Sequence, residues 1–106
     1  MTNITQWIVP KDHPSFAGHF PGNPTLPGVV LLDVALHNIA TATGFTLDSC
    51  MISSVKFLSP ALPNDKLLIQ HKVLDNGSVH FDITCGLRKI ATGRIKINSS
   101  QSTQKE

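Results

Sequence analysis

The sequence predicts an α+β domain in which a long central helix is wrapped by an antiparallel β-sheet. Three observations support this: one apolar segment of helical length without a breaker, four later segments rich in β-branched and aliphatic residues, and a hairpin signal, Asn76-Gly77, between two of them. Four strands after a single helix indicate an antiparallel sheet that packs around that helix.

Length and composition point to one small domain. The 106 residues are enough for one compact core, expected over residues 1–98, with a polar, disordered tail over residues 99–106. A hydrophobic fraction of 41% against 15% charged residues favours self-association. The net charge of +2 is too small for a nucleic-acid-binding surface. Cys50 and Cys85 lack metal-ligand spacing, so we expect reduced core thiols and no metal site.

The N-terminal segment Ile4–Val9 suits a brief edge strand that Pro10 ends. It carries no basic region followed by an apolar core and a cleavage site, so no signal peptide is expected and the cytoplasm is the expected compartment. From Lys11 to Gly28, prolines and glycines are dense enough to break regular structure and indicate a constrained loop. Apolar anchors make an ordered loop the expectation: Phe16, Phe20 and Leu26.

A helix is expected from Val29 to Thr43. Pro27 fits its first turn because the missing N–H would have no intrahelical partner, and Gly44 is a natural stop. Apolar residues occupy nearly every position, so the helix should lie at the centre of the fold without a polar face. Three polar residues interrupt the apolar run, so no membrane span is expected.

The remainder of the chain predicts strands joined by turns. Within Ser78–Cys85, apolar and polar residues alternate with the period of a half-buried strand. Prolines and Asn64-Asp65 mark a further turn between Pro60 and Asp65. The four expected strands are Met51–Leu58, Lys66–Leu74, Ser78–Cys85 and Ile90–Ile97.

Asp33 is the residue that first suggests chemistry, since it is ionisable and lies within an apolar helix. A lone buried carboxylate is costly unless it is paired, hydrogen-bonded or protonated. Two interpretations stay open: it bonds a loop or faces solvent, or it is a carboxyl group kept protonated by apolar surroundings and acts as a general acid. His37, four residues on, shares its face and can hydrogen-bond it or pack beside it.

Two further groups have both a structural and a catalytic interpretation. His19, in the loop, is either a surface or hydrogen-bonding histidine or a base. Gly28 either makes a tight turn into the helix or leaves the first-turn N–H groups open to a carbonyl oxygen that is becoming an enolate.

The segment His19–Val29 reads HFPGNPTLPGV, and Asp33 stands fourteen residues after His19. This resembles the signature H-F-P-G-x-P-x-x-P-G-V of the bacterial 3-hydroxyacyl-[acyl-carrier-protein] dehydratases, in which a carboxylate on the central helix follows the histidine at the same distance. The resemblance extends from about Pro14 to Ile97.

The resemblance implies a hotdog fold and a dimer in which each site pairs His19 of one subunit with Asp33 of the other. His19 would remove the C2 proton, the Gly28 N–H would polarise the thioester carbonyl, and Asp33 would protonate and expel the C3 hydroxyl. No metal or organic cofactor is implied. The groups expected around the substrate are Phe20, Pro27, Gly28, Val29 and His37.

The implied partner is an acyl carrier protein bearing a 3-hydroxyacyl thioester, in fatty-acid or specialised polyene or lipid synthesis. The implied assembly is a homodimer or higher homo-oligomer, or a heterodimer with another hotdog subunit. Basic residues are candidates for contact with the acidic carrier or are simply solvated: Lys56, Lys66, Arg88 and Lys89.

Two departures from the family pattern matter. Members usually carry a further strand and a short helix before the motif, so a more open substrate tunnel is expected. His37 stands where many members have a glutamine. Two other functions remain open: a thioesterase, against which the histidine argues, and a non-catalytic subunit that pairs with a full-length dehydratase.

Overall fold

The computed structural model describes residues 2–13, 26–44 and 50–97 of the chain. These residues form one α-helix and five β-strands, which confirms the predicted α+β class. In chain order the elements are β1 (Thr2–Ile8), α1 (Gly28–Thr43), β2 (Cys50–Phe57), β3 (Lys66–Val73), β4 (Ser78–Cys85) and β5 (Arg88–Ile97).

The five strands form one antiparallel sheet in the order β1-β3-β4-β5-β2. One side chain in two along the inner strands points to the face covered by α1, which is why β4 alternates so regularly. The helix and this face share the buried core, to which α1 contributes Leu31, Ala35 and Ile39. Strands β1 and β2 are the two edges of the sheet, as expected for β1.

The helix ends where the sequence predicted, but its start differs slightly. Gly44 adopts a left-handed conformation, with φ of 83°, and donates its N–H to Ala40 O at 2.8 Å. Pro27, with φ of −60° and ψ of 144°, is extended and precedes the helix instead of lying in its first turn. The helix therefore begins at Gly28, one residue earlier than expected.

The expectation that α1 lacks an exposed face is wrong for the single chain. Only the stripe Leu31, Ala35 and Ile39 is buried, and Val29, on the opposite side of the helix, is 74% exposed. One sheet face covers only one side of a helix, so the side that carries Val29 faces outwards. The flanking residues Val30, Leu32, Val34 and Leu36 are partly buried against the core.

The strand and turn predictions are confirmed to within two residues at each end. At the β3–β4 turn the Leu74 N–H donates to Ser78 O at 2.7 Å, and Gly77 has a φ of 87°. Asn76 Oδ1 accepts the Ser78 N–H at 3.0 Å. This turn uses both residues of the predicted Asn-Gly pair.

Part of the predicted Lys11–Gly28 loop, with Phe16 and Phe20, lies outside the described residues, as does the predicted tail. The third anchor, Leu26, is buried, and its N–H donates to Ala61 O at 2.8 Å. Cys50 and Cys85, expected to be core residues, are only partly buried and pack against the core from its margin.

His71, on β3, is a polar side chain within the core and is only 2% exposed. The amide Nδ2 of Asn3 on β1 lies 3.3 Å from His71 Nε2. An amide nitrogen can only donate, so Nε2 accepts and the ring proton is on Nδ1, which has no hydrogen-bond partner among the described residues. Burial lowers the pKa of His71, because the charged imidazolium would lose its hydration.

Candidate active site

The outward face of α1 carries Val29, Asp33 and His37 at a spacing of four residues, so they form one stripe along the helix. The side chains of Asp33 and His37 are 68% and 60% exposed. Of the two interpretations of Asp33, the single chain therefore shows the solvent-facing one. The described residues of one chain do not supply the apolar setting that a general acid needs.

His37 is held against its own helix. Its Nδ1 lies 2.9 Å from the backbone oxygen of Asp33 and 3.4 Å from Asp33 Oδ1. The shorter contact is a hydrogen bond to the carbonyl, and the same N–H can reach the carboxylate only as a weaker second acceptor. Both contacts fix the imidazole beside the carboxylate, as the four-residue spacing predicted.

The N-terminus of α1 presents backbone donors. The N–H groups of Val30 and Leu31 donate to Pro27 O at 3.0 and 3.1 Å. Pro27 offers no side-chain cap, and no acidic residue occupies the first turn. Gly28 and Val29 come before the first intrahelical hydrogen bond among the described residues. Their N–H groups therefore lie at the positive end of the helix dipole.

Phe57, at the end of β2, packs directly against Gly28. A Cβ built on Gly28 would lie 2.9 Å from Phe57 Cζ and 3.1 Å from both Cε atoms. Glycine at this position therefore allows the ring to close over the helix start. The φ of Gly28 is not positive, so the turn expected from sequence does not itself require glycine.

A pocket of about 360 Å³ opens beside this contact, and its walls are largely apolar. It runs from the first turn of α1 to the segment after β2, so an aliphatic or thioester group inside it would lie next to Gly28. Its lining residues are Leu26, Gly28, Leu31, Phe57, Leu58, Ser59, Pro60 and Ala61.

The structure thus unites some predicted site residues and separates others. Gly28 and Phe57 meet, and Phe57 was missed as a site residue because it was predicted only as part of the strand Met51–Leu58. Asp33 does not line the pocket, because five residues along a helix turn a side chain by about 140° from Gly28. His19 and Phe20 lie outside the described residues.

Within the part of the chain that the structure describes, no group of three or more histidine, cysteine, aspartate or glutamate residues is placed to hold a metal ion. No described helix has both the length and the hydropathy to cross a bilayer. Arg88, a candidate for carrier contact, pairs instead with Asp65 at 2.6 Å. Its charge is therefore already partly neutralised.

The chain matches the model of the ApeI-like family, described as ApeI dehydratase, over residues 2–94. The 3-hydroxyacyl-[acyl-carrier-protein] dehydratase FabZ of Thermomicrobium roseum is 30% identical over 105 residues, covering 92% of this chain and 65% of that protein. The FabZ of Syntrophobacter fumaroxidans is 35% identical over 72 residues, covering 59% of this chain and 48% of that protein. The chain spans about half to two thirds of the length of these curated relatives.

Among solved structures, the dehydratase heterocomplex ApeI:P from Xenorhabdus doucetiae is similar. It superposes with a TM-score of 0.74 at 29% identity, covering 91% of this chain and 86% of the matched one. The predicted hotdog fold is thereby confirmed. The described helix and sheet, the match over residues 2–94 and this superposition establish that the chain belongs to the ApeI-like dehydratase family.

Proposed function

We propose that this chain dehydrates a 3-hydroxyacyl thioester carried by an acyl carrier protein, giving the trans-2-enoyl thioester and water. The observation that carries the proposal is the family match over residues 2–94, which includes the whole segment from His19 to Asp33. The relatives named as dehydratases of carrier-bound substrates support the substrate class.

The chemistry assigns one role to each group. His19 takes the proton from C2, while the Gly28 N–H donates to the thioester oxygen as negative charge develops there. Asp33 gives a proton to the C3 hydroxyl, which then leaves as water. Base and oxyanion donor act together because the C2 proton of a thioester is only weakly acidic. Phe57 and the pocket beside Gly28 would hold the thioester end against the helix.

A partner subunit would supply the apolar cover that the described residues of the single chain lack around Asp33. Asp33 lies on an exposed helical stripe with Val29, and the edge strand β2 leaves Met51, Ile52 and Phe57 substantially exposed. An unpaired, apolar edge strand favours pairing with a second sheet. Covering these surfaces would bury the Asp33 stripe and give its carboxyl group the apolar setting that a general acid needs.

The second subunit is either another copy of this chain or a related hotdog subunit. The heterocomplex formed by the structural relative from X. doucetiae supports the second arrangement. In either case we propose that His19 of one subunit serves Asp33 of the other. The cytoplasm stays the proposed location.

The catalytic assignment is tested with His19→Ala and Asp33→Asn, using hydration and dehydration of short acyl thioesters on carrier protein. Each change should lower kcat by at least about 100-fold, because acid–base catalysis contributes roughly 10²–10⁴-fold. Asp75→Asn removes the same charge from the exposed β3–β4 turn and should leave kcat within about twofold. Normal turnover by folded Asp33→Asn would refute the role of this carboxylate.

Mixing the two inactive variants tests the shared site. A mixed dimer of His19→Ala and Asp33→Asn places both defects in one site and leaves the other intact, so random exchange should restore about a quarter of the wild-type activity. No recovery in dimers shown to have exchanged would place both residues of a site in one subunit. If the wild type is active only with a second hotdog protein, the heterodimer is the working enzyme.

A further inference from the structure

The face of the sheet opposite α1 carries a second, chemically different pocket. Its volume is about 290 Å³, and it opens over β4, β5 and β2 on the side away from Asp33. About half of its wall surface is polar. Its lining residues are Ser54, Val55, Lys56, His80, Thr92, Gly93 and Arg94.

Strand register places the polar members on one face. Lys56 pairs with Thr92 on β5, and Ser54 pairs with Arg94. Directly paired residues of antiparallel strands point to the same side, and the intervening position Gly93 pairs with Phe81, which is fully buried in the core. Lysine, arginine and two hydroxyl side chains therefore lie together on the outer face.

Local irregularity shapes the pocket. The β2–β5 register shifts between Ile52 and Ser54, which marks a β-bulge at one wall. Gly93 contributes only backbone to the floor, because a Cβ there would point to the core and lie 2.5 Å from Phe81 Cζ. Bulges of this kind re-aim neighbouring side chains and are frequent beside binding sites.

The charge of this face is unbalanced. Among the described residues, neither Lys56 nor Arg94 has a carboxylate within ion-pair distance. A further cation, Lys72, lies opposite His80 in the register of β3 and β4 and therefore on the same face. The carboxylate of Asp82 lies 3.6 Å from His80 Nδ1, so it is directed to the imidazole. Two cations next to hydroxyl groups are thus available to an anion.

The hydroxyl of Thr92 is placed between the strands and the pocket. It donates to Phe81 O at 3.3 Å and lies 3.4 Å from His80 Nε2. Both distances are long for an O–H donor, so an incoming anion can compete for this proton. Nothing in this set belongs to the site on α1, because the sheet separates the two faces.

We propose that this pocket binds a phosphate group. The planar guanidinium of Arg94 presents a fork of donors that matches two phosphate oxygens, while the Lys56 ammonium and the hydroxyls of Ser54 and Thr92 reach the others. Inorganic phosphate and the phosphate monoester of a small metabolite share this chemistry. The proposal does not depend on the dehydratase assignment.

The test is an NMR titration of the intact protein with sodium phosphate at constant ionic strength, with chloride as the replaced ion. Saturable shifts confined to β2, β4 and β5 are expected, with Kd on the order of 1 mM. Arg94→Gln and Lys56→Gln should each weaken binding about tenfold. Lys66→Gln, the same charge change at the start of β3, should alter it by less than about twofold. Adenosine monophosphate replaces phosphate in a second arm, and the tighter ligand identifies the source.

Shifts that grow without saturation, or that spread over exposed lysines across the surface, would overturn the proposal. Equal affinity in the wild type and in Arg94→Gln would also overturn it, provided that the variant's amide spectrum shows a folded protein. Lys56→Gln lies on an edge strand and supplies the same comparison if Arg94→Gln does not fold. Failure here leaves the dehydratase assays unaffected, since they test the opposite face.

Discussion

Replacing Gly93 by alanine should destabilise the protein by about 2 kcal/mol, because the added methyl group has no space. It would lie 2.5 and 2.7 Å from the ring of Phe81 and 2.9 Å from the carbonyl oxygen of Ser54. The ring is fully buried and cannot swing out, and the carbonyl belongs to the neighbouring strand's backbone. Overpacking of this kind costs roughly 1–3 kcal/mol.

Thermal unfolding followed by circular dichroism measures the effect. For a domain of this size about 2 kcal/mol corresponds to a fall in Tm of about 10 °C. Protein concentration must be matched, because self-association would also raise Tm. In a double-mutant cycle, the loss of unfolding free energy in Gly93→Ala/Phe81→Leu should be about 1 kcal/mol smaller than the sum of the losses in the two single variants. A Tm unchanged by Gly93→Ala, or strictly additive costs, would refute the packing argument.

Three further predictions follow from individual contacts. The methyl group of Gly28→Ala would push only on the tip of the half-exposed Phe57 ring, so the variant should lose less than about 1 kcal/mol of unfolding free energy in urea. The same methyl group narrows the pocket, so kcat/KM should fall. An unchanged kcat/KM would contradict this prediction. Burial lowers the pKa of His71 below its ordinary 6.5, so as the pH falls the unfolded chain takes up the proton before the folded protein does. The free energy of unfolding should therefore decrease below about pH 6.5, by at most about 1.4 kcal/mol per pH unit. His71→Gln should flatten that dependence in urea midpoints from about pH 7.5 to about pH 5, and an equal slope would exclude His71 as its source. In the same assay Asp65→Ala should destabilise the protein more than Arg88→Ala does. Both changes remove the ion pair, which is worth less than about 1 kcal/mol, but Asp65→Ala also removes the acceptor of the Leu62 N–H at 2.9 Å. A larger loss of stability in Arg88→Ala would contradict this prediction.

Local signals predicted most of the secondary structure. Gly44 ends the helix because only a residue tolerant of positive φ can close the last turn this way, and the Asn76-Gly77 turn follows from the same preference. Alternation along β4 gave the buried face correctly. Each of these features depends on contacts within a few residues.

The exposure of Asp33 was not predictable, because an apolar helix looks the same whether its surface is covered by its own sheet or by a partner. The contact of Gly28 with Phe57 joins residues far apart in sequence, and periodicity carries no information about such pairs. The neighbours of the edge strands were equally hidden, since β1 pairs with β3 and β2 with β5.

The most direct test of the dehydratase assignment uses water labelled with heavy oxygen and a 3-hydroxyacyl thioester on carrier protein, followed by mass spectrometry of the acyl chain. Reversible loss and addition of water should place the label in the C3 hydroxyl with the wild type and not with Asp33→Asn. Label found only in a released carboxylate would show thioester hydrolysis, and a folded wild type that introduces no label would contradict the proposed activity of this chain.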